Sequence, residues 1–531
     1  MKSQSNLIVP SCSDCFALHG GKNINIIILM CVKNLSFVGN NHIIKLVIKN
    51  NQIKTKIIFQ IEVIKILTYV FENSGQPLYE QVYQYIKNDI ISGVLQPDEK
   101  LPSKRSFANN HGISTITIQN AYDQLISEGY VYTIPKKGYY VAAIDKMPRT
   151  PQVNEISLDI KMPRPPEQYT TDLSSNKMNP DHFPFSVWAK LMRETISYRS
   201  KELMEVSPAG GIYELRAAIA EHLKSFRGML VDPNQIVIGA GTEYLYGLII
   251  QLLGNDKEYC IENPGYKKLV QIYKQYEITC RYADMDDDGI TVEGLLKSGA
   301  AIAHISPDHH FPTGITMPAN RRYEVLAWAN EKKQRYIIED DYDSEFRLNG
   351  KPMPTLFSID ACEKVIYMNT FSKSLTPTIR ISYMILPVHL ANQFYSQLSF
   401  YSCTVSNFEQ YTLSAFIHRG YFEKHINRMR LYYKRQRKKL IDYMEKSRIK
   451  DLCTIIENDS GLHFLIKLHT ELSDETIKAR LNAKDIQIRA LSEYFLTSNN
   501  NKAHYFIVNY SNIDTTKIFE IYEKLYESLM E

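Results

Sequence analysis

The sequence predicts a multidomain chain. A small α+β domain of three helices and a hairpin precedes a large α/β domain with a mainly parallel sheet and a smaller α+β C-terminal lobe. Three observations predict this. The 531 residues are too many for one ordinary domain. Residues 77–142 read as three helical stripes followed by two short β-prone runs. Beyond about residue 172, short apolar runs alternate with longer helical patterns, the pattern of repeated βαβ units.

Composition sets the bounds. Hydrophobic residues make up 44% and charged residues 23%, which excludes collagen-like and wholly disordered classes. A net charge of +4 is too small by itself to imply a nucleic-acid partner. The longest uncharged apolar run near the start, Ile24–Val32, is too short to span a bilayer, and no secretory pattern surrounds it, so no membrane role is expected. Eight scattered cysteines give no disulfide framework, and a reducing cytoplasm is the expected setting. Cys12 and Cys15 have CxxC spacing but lack two further ligands, so no metal site is expected.

Residues 1–66 hold 14 Ile, 8 Lys and 8 Asn but no Tyr, Trp or Arg, although the chain carries 36 Tyr. This segment is expected to be an extension outside the folded unit. Translated AT-rich upstream DNA is one source of such a bias.

The small domain is placed at 67–142. Leu78, Val82, Tyr85, Ile86 and Ile90 fall at helical spacing. Ser103 is a plausible N-cap for a second helix with Phe107 and Ala108 inward, stopped by Gly112. Ser114 caps a third, with Ile118, Ala121, Tyr122 and Leu125 as its buried stripe. Tyr130–Ile134 and Tyr139–Ala142 form a hairpin whose tip, Pro135-Lys136-Lys137-Gly138, is basic. Five prolines mark a linker over 143–171. The rest, 172–531, divides into a large lobe to about 405 and a small lobe from about 406. The clearest strands of the large lobe are Gln235–Gly239, Glu258–Glu262, Ala301–Ser306, Arg335–Glu339 and Lys364–Met368.

In open parallel sheets, ligands sit beyond the carboxyl ends of strands. Those positions hold Gly241-Thr242-Glu243, Tyr266, Asp340, Tyr342, Thr370, Ser372 and Lys373, with Arg380 seven residues further on. Each alone has a plainer reading, as a cap, a packing ring, a surface charge or an ion-pair partner. Together they match one cofactor. Pyridoxal phosphate needs a lysine amine for covalent attachment and a carboxylate to keep its pyridine nitrogen protonated. Its phosphate needs an arginine, hydroxyls and helix N-terminal amides, and its ring an aromatic lid.

From about residue 172 onward the chain resembles fold-type-I aminotransferases. The motifs are Gly211-x-x-x-Leu215-Arg216, Gly241-Thr242-Glu243, Pro264-x-Tyr266, Pro312-Thr313-Gly314, Glu339-Asp340-Asp341-Tyr342 and Thr370-Phe371-Ser372-Lys373. Residues 77–142 resemble a GntR-type winged helix-turn-helix, through Pro77-Leu78-Tyr79, Leu101-Pro102-Ser103-Lys104-Arg105 and Glu128-Gly129-Tyr130. The pairing is similar to the MocR/GabR subfamily of transcription regulators. That resemblance implies that Lys373 attaches the cofactor, Asp340 faces its ring nitrogen, Tyr342 its 3-oxygen and Tyr266 its ring face. Arg380, Thr370, Ser372 and the Gly241–Glu243 turn would hold the phosphate. Ser103, Lys104, Arg105, Ser114, Thr115, Thr117, Lys136, Lys137 and Gly138 would face DNA. Three departures stand out: Phe311 where many of the enzymes have Asn, Val206 where many have Tyr, and Thr115 where GntR proteins often have Arg.

The leading expectation is a homodimeric, pyridoxal-phosphate-dependent regulator that binds a double-stranded operator and senses the cofactor or a small amino compound. The alternative is a working aminotransferase with an accessory DNA-binding domain. A structural protein that no longer binds cofactor is a third, weaker reading. No arginine lies in Tyr505–Tyr510, where many of the enzymes bind the substrate carboxylate. Arg489 is the nearest substitute, and a surface role for it is equally in keeping with the sequence. Full transaminase turnover is therefore not expected to be the main role.

Overall fold

A computed structural model describes residues 67–71, 75–144, 160–163, 165, 167–175, 179–348, 353–456, 461–497 and 503–531. It also describes one short ladder, β1 (His42–Ile43) against β2 (Ile64–Lys65). The expectation for residues 1–66 otherwise lies outside the described residues, as does much of the expected linker. The chain divides into two compact units, Met1–Pro163 and Arg164–Glu531.

In the first unit, α1 (Leu78–Ile91), α2 (Lys104–His111) and α3 (Thr115–Ser127) precede a hairpin of β3 (Val131–Ile134) and β4 (Gly138–Val141). The caps are the expected ones. Ser103 accepts the Ser106 N–H, Ser114 accepts the Thr117 N–H, and Gly112 ends α2 in the left-handed region at φ 65°. Ile118, Ala121, Tyr122 and Leu125 are fully buried, against Val82 and Ile86 of α1. Each large apolar side chain so buried stabilises the unit by roughly 2 kcal/mol. The α1 stripe needs one correction. Leu78 is 42% exposed, and Tyr83 is buried instead, its ring packed in the core cluster and its hydroxyl donating to Glu128.

The second unit opens with β5 (Thr171–Asp172). Its central sheet contains β6 (Ile236–Gly239), β7 (Tyr259–Asn263), β8 (Cys280–Asp286), β9 (Gly289–Ile290), β10 (Ile302–Ile305), β11 (Tyr336–Asp340), β12 (Val365–Thr370) and β13 (Ser382–Ile385). The spatial order is β6-β13-β12-β11-β10-β7-β8-β9. Strands β12, β11, β10, β7 and β8 run parallel, whereas β13 is antiparallel to both neighbours. Every residue of β10 and β12 is buried, which is why both read as largely apolar runs, broken only by His304 in β10 and by Asn369 and Thr370 at the end of β12. The five expected strands are present with ends moved by one or two residues. Strand β13 was not anticipated, because its four residues follow a short proline-containing turn and carry no alternation.

The smaller sheet is β14 (Cys453–Ile456), β15 (His463–Leu468), β18 (Tyr505–Asn509) and β17 (Arg489–Ala490), while β16 (Ile486–Gln487) pairs with β5. The expected linker thus overruns: Thr171 is already in a strand, and the Thr170 hydroxyl donates to Asp485. Nor does residue 406 bound a separate core, since helix Asn407–His418 packs on helices Phe185–Tyr198 and Tyr213–Arg227. Among the described residues no helix is long and apolar enough to cross a membrane.

Candidate functional site

The antiparallel insertion of β13 gathers the site. Its first residue, Ser382, lies opposite Thr370 at the end of β12 and opposite Gly239 at the end of β6. The turn carrying Arg380 is thereby held between the loops that follow those strands. A cavity of about 280 Å³ opens there. Gly241, Thr242, Glu243, Tyr266, Asp340, Tyr342, Thr370, Ser372, Lys373 and Arg380 all line it, so the ten expected cofactor residues are brought together.

Lys373 follows β12 on the one-turn helix Phe371–Ser374. Protein surrounds its amine on most sides, and this burial pushes its pKa down to about 8, partly opposed by the carboxylate of Asp343. A fraction of the amine is therefore neutral, and nucleophilic, near pH 7.

Asp340 ends β11. Its Oδ2 accepts the Tyr246 hydroxyl at 2.8 Å, and burial, with Asp340 adding to it, holds that phenol protonated. The other oxygen, Oδ1, is buried with no hydrogen-bond partner. His304 Nε2 lies 3.5 Å from Oδ2, and its Nδ1 meets the Tyr273 hydroxyl at 2.6 Å. Sequence reasoning missed Tyr246 and His304. Helical spacing from Thr242 pointed to the first, and the second is the one polar residue of β10.

The cup at the start of helix Thr242–Leu253 is anion-binding in character. No side chain caps this helix, so its first N–H groups face the cavity. A Cβ on Gly241 would lie 2.8 Å from Arg380 Cζ, and the backbone there has φ 93°, so glycine is what lets the guanidinium approach. The Ser372 hydroxyl is buried and unpartnered. Two expected residues take other parts. Thr370 Oγ1 already accepts the Ser372 N–H (3.1 Å) and the Ser382 hydroxyl (2.8 Å). The Glu243 carboxylate is bound by Lys268 and faces Arg380 at 3.5 Å, so only its backbone can serve an anion. Lys268, not singled out in the sequence, adds a second cation to this wall.

Tyr266, 46% exposed, also lines the cavity and meets Phe311 edge to face at 6.2 Å. Glu262 is pushed up to about 8 by burial and His310 down to about 3 by burial and His309, so their 3.5 Å contact is one between neutral groups. Arg489 is exposed on β17, beside Tyr494 and Tyr266, and does not line the cavity.

An orphaned buried acceptor, an orphaned hydroxyl, a lysine of lowered pKa and a cation-lined helix start fit pyridoxal phosphate.

The winged unit places the expected DNA residues less uniformly. Arg105, Thr115, Lys136 and Lys137 are exposed, and Lys104 lies 5.8 Å from the Tyr139 ring. Ser103 and Ser114 spend their hydroxyls on helix caps, and Thr117 Oγ1 meets Ser114 Oγ at 2.8 Å. Thr117 is therefore turned along the helix start instead of outward. Ile116, 71% exposed, and Gln119 point out beside Thr115, and the sequence reading missed both.

Comparisons with known proteins bear on both units. The family model for aminotransferase class I and II matches residues 169–509, and that for bacterial regulatory proteins of the gntR family matches 78–141. The HTH-type transcriptional regulator YdeL of Bacillus subtilis is 35% identical over 422 residues, 78% of this chain and 89% of the relative. The probable rhizopine catabolism regulatory protein MocR of Rhizobium meliloti is 29% identical, covering 82% of this chain and 91% of its own. Among solved structures, a multiple substrate aminotransferase from Thermococcus profundus matches with TM-score 0.60 and 24% identity, over 68% of this chain and 91% of that one, which shows the shared fold. The cofactor implied by the aminotransferase family is pyridoxal phosphate. With a GntR winged helix-turn-helix joined to a class I/II aminotransferase domain, the chain belongs to the MocR/GabR subfamily of GntR regulators.

Proposed function

We propose that this protein is a pyridoxal-phosphate-dependent transcription regulator. The winged unit binds duplex DNA, and the aminotransferase-like domain responds to pyridoxal phosphate or to a small amino compound that reacts with it. One observation carries the reading: a cavity with every group the cofactor needs belongs to the same chain as a winged unit with uncommitted, outward side chains on α3. When bound, the cofactor supplies an electrophilic carbon for amine capture. Lys373 provides the amine that attaches it. Asp340 Oδ1 accepts from the ring nitrogen, and Tyr246 keeps that carboxylate oriented. Arg380, Ser372 and the first amides of helix Thr242–Leu253 hold the phosphate, while Tyr266 covers the ring.

In the winged unit, Arg105, Lys136 and Lys137 contact phosphates and position the domain, and Thr115 and Gln119 reach base edges. The acting form is a homodimer in the cytoplasm. Its support is three exposed apolar side chains, Met204 (86%), Val206 (76%) and Phe400 (75%), on two segments joined by the Cys403 N–H donating to Ser207 O at 3.4 Å.

The test is a footprint on DNA upstream of the protein's own gene, with and without pyridoxal phosphate. A turnover assay with common amino acids and 2-oxoglutarate is run beside it. Protection that changes with cofactor or amine is expected. Rapid multiple turnover with no protected DNA would make the aminotransferase reading the better one.

A further inference from the structure

Tyr342, His309 and Asp343 form a chain beside the cavity. His309 and Asp343 are buried, and Tyr342 lines the cavity wall. His309 Nδ1 lies 2.9 and 3.1 Å from the two Asp343 oxygens and 3.0 Å from the Tyr342 hydroxyl. A carboxylate only accepts, so Nδ1 carries the ring proton and donates it. The Tyr342 oxygen is then an acceptor on that side, and its own proton cannot go to His309. No other partner of this hydroxyl is found among the described residues. Its O–H is left to face the cavity, and burial near Asp343, Asp340 and Glu262 keeps the phenol protonated.

The imidazole is also seated by shape. A Cβ on Gly461 would overlap the His309 ring, and the His463 ring packs 4.6 Å away. His463 is itself tied down, with Nε2 donating to Pro312 O at 3.1 Å. Phe311, between His310 and Pro312, has no side-chain group that can donate.

We propose that His309, set by Asp343, is a positioning residue that keeps the Tyr342 hydroxyl a donor into the cavity. There it is available to the anionic ring oxygen of a bound pyridoxal compound, in place of the hydrogen bond that Phe311 cannot make. This rests on the cofactor reading above.

Asp343→Asn is the informative change. An asparagine amide can donate to Nδ1, which reverses the tautomer and lets Tyr342 turn its proton toward His309. The probe is pyridoxal phosphate itself, and the readouts are the ratio of the bound cofactor's two absorbance bands at fixed pH and its dissociation constant. Asp343→Asn and Tyr342→Phe should each change both by about fivefold, the ratio that one hydrogen bond gives. The double variant should go no further than Tyr342→Phe alone. His309→Asn, which keeps a donor near the Nδ1 position, should stay close to wild type, and a wild-type urea midpoint of the Asp343→Asn protein itself excludes a folding defect.

A direct effect of Asp343 on Lys373 would persist in the Tyr342→Phe background. Such persistence, or a wild-type band ratio in Asp343→Asn, overturns the proposal. A wild-type protein that takes up no visible absorbance with pyridoxal phosphate overturns the cofactor reading itself, which separates the two failures.

Discussion

Replacing Lys373 by Met should stabilise the second unit of the cofactor-free protein at neutral pH. Burial dominates the environment of the Lys373 amine and lowers its pKa from 10.5 to about 8, with Asp343 pulling weakly the other way. A drop of about 2.5 at 1.36 kcal/mol each puts the cost of folding with this ammonium at about 3 kcal/mol. The direction with pH follows from proton counting. The unfolded lysine keeps its proton up to about pH 10.5 and the folded one only up to about pH 8. Between those values the unfolded state binds more protons, so stability rises with pH.

Below about pH 8 the whole cost stands, and above about pH 10.5 it is gone. Methionine keeps most of the side chain's length without the charge. Lys373→Met should therefore exceed wild type by about 3 kcal/mol at pH 7, with the gap closing toward pH 10.5. Urea unfolding followed by tryptophan fluorescence measures this cleanly. The only two tryptophans, Trp188 and Trp328, both lie in the second unit, so the signal reports that unit alone. Other groups titrate alike in both proteins and drop out of the difference. Equal midpoints at pH 7, or a gap unchanged up to pH 10.5, would refute the claim that the amine is desolvated.

Borohydride treatment of the protein loaded with pyridoxal phosphate should fix the cofactor to the peptide containing Lys373, as read by mass spectrometry; label on any other lysine removes the assignment. Gly241→Ala forces a side chain into backbone at φ 93° and against Arg380, at a cost of roughly 1–3 kcal/mol. Pyridoxal phosphate should then bind about ten- to hundredfold more weakly, and an unchanged titration counts against the phosphate cup. Arg105→Ala should weaken binding to all DNA sequences alike and lower the salt slope by about 1, whereas Thr115 or Gln119 variants should change base preference; both are read by anisotropy across salt and operator variants.

Local chemistry was legible in the sequence because it depends on neighbours along the chain. Ser103, Ser114 and Gly112 bound helices whose caps need only the next three or four residues. The apolar runs of β10, β11 and β12 announced a sheet covered on both faces, and the residues at their carboxyl ends were therefore the ones to inspect. What the fold decided is which polar groups find partners. Thr370 and Thr117 looked free and are bound, whereas one oxygen of Asp340 looked like any carboxylate and is left without a partner. The Tyr246 bond to Asp340 spans 94 residues, and the contact of His309 with Asp343 spans 34. Arg380 reaches the phosphate cup because β13 runs against its neighbours and sets its own first residue beside the ends of β6 and β12. Periodicity records which face of an element is covered, but hydrogen bonds between distant segments depend on strand order and direction, and those exist only once the sheet has formed.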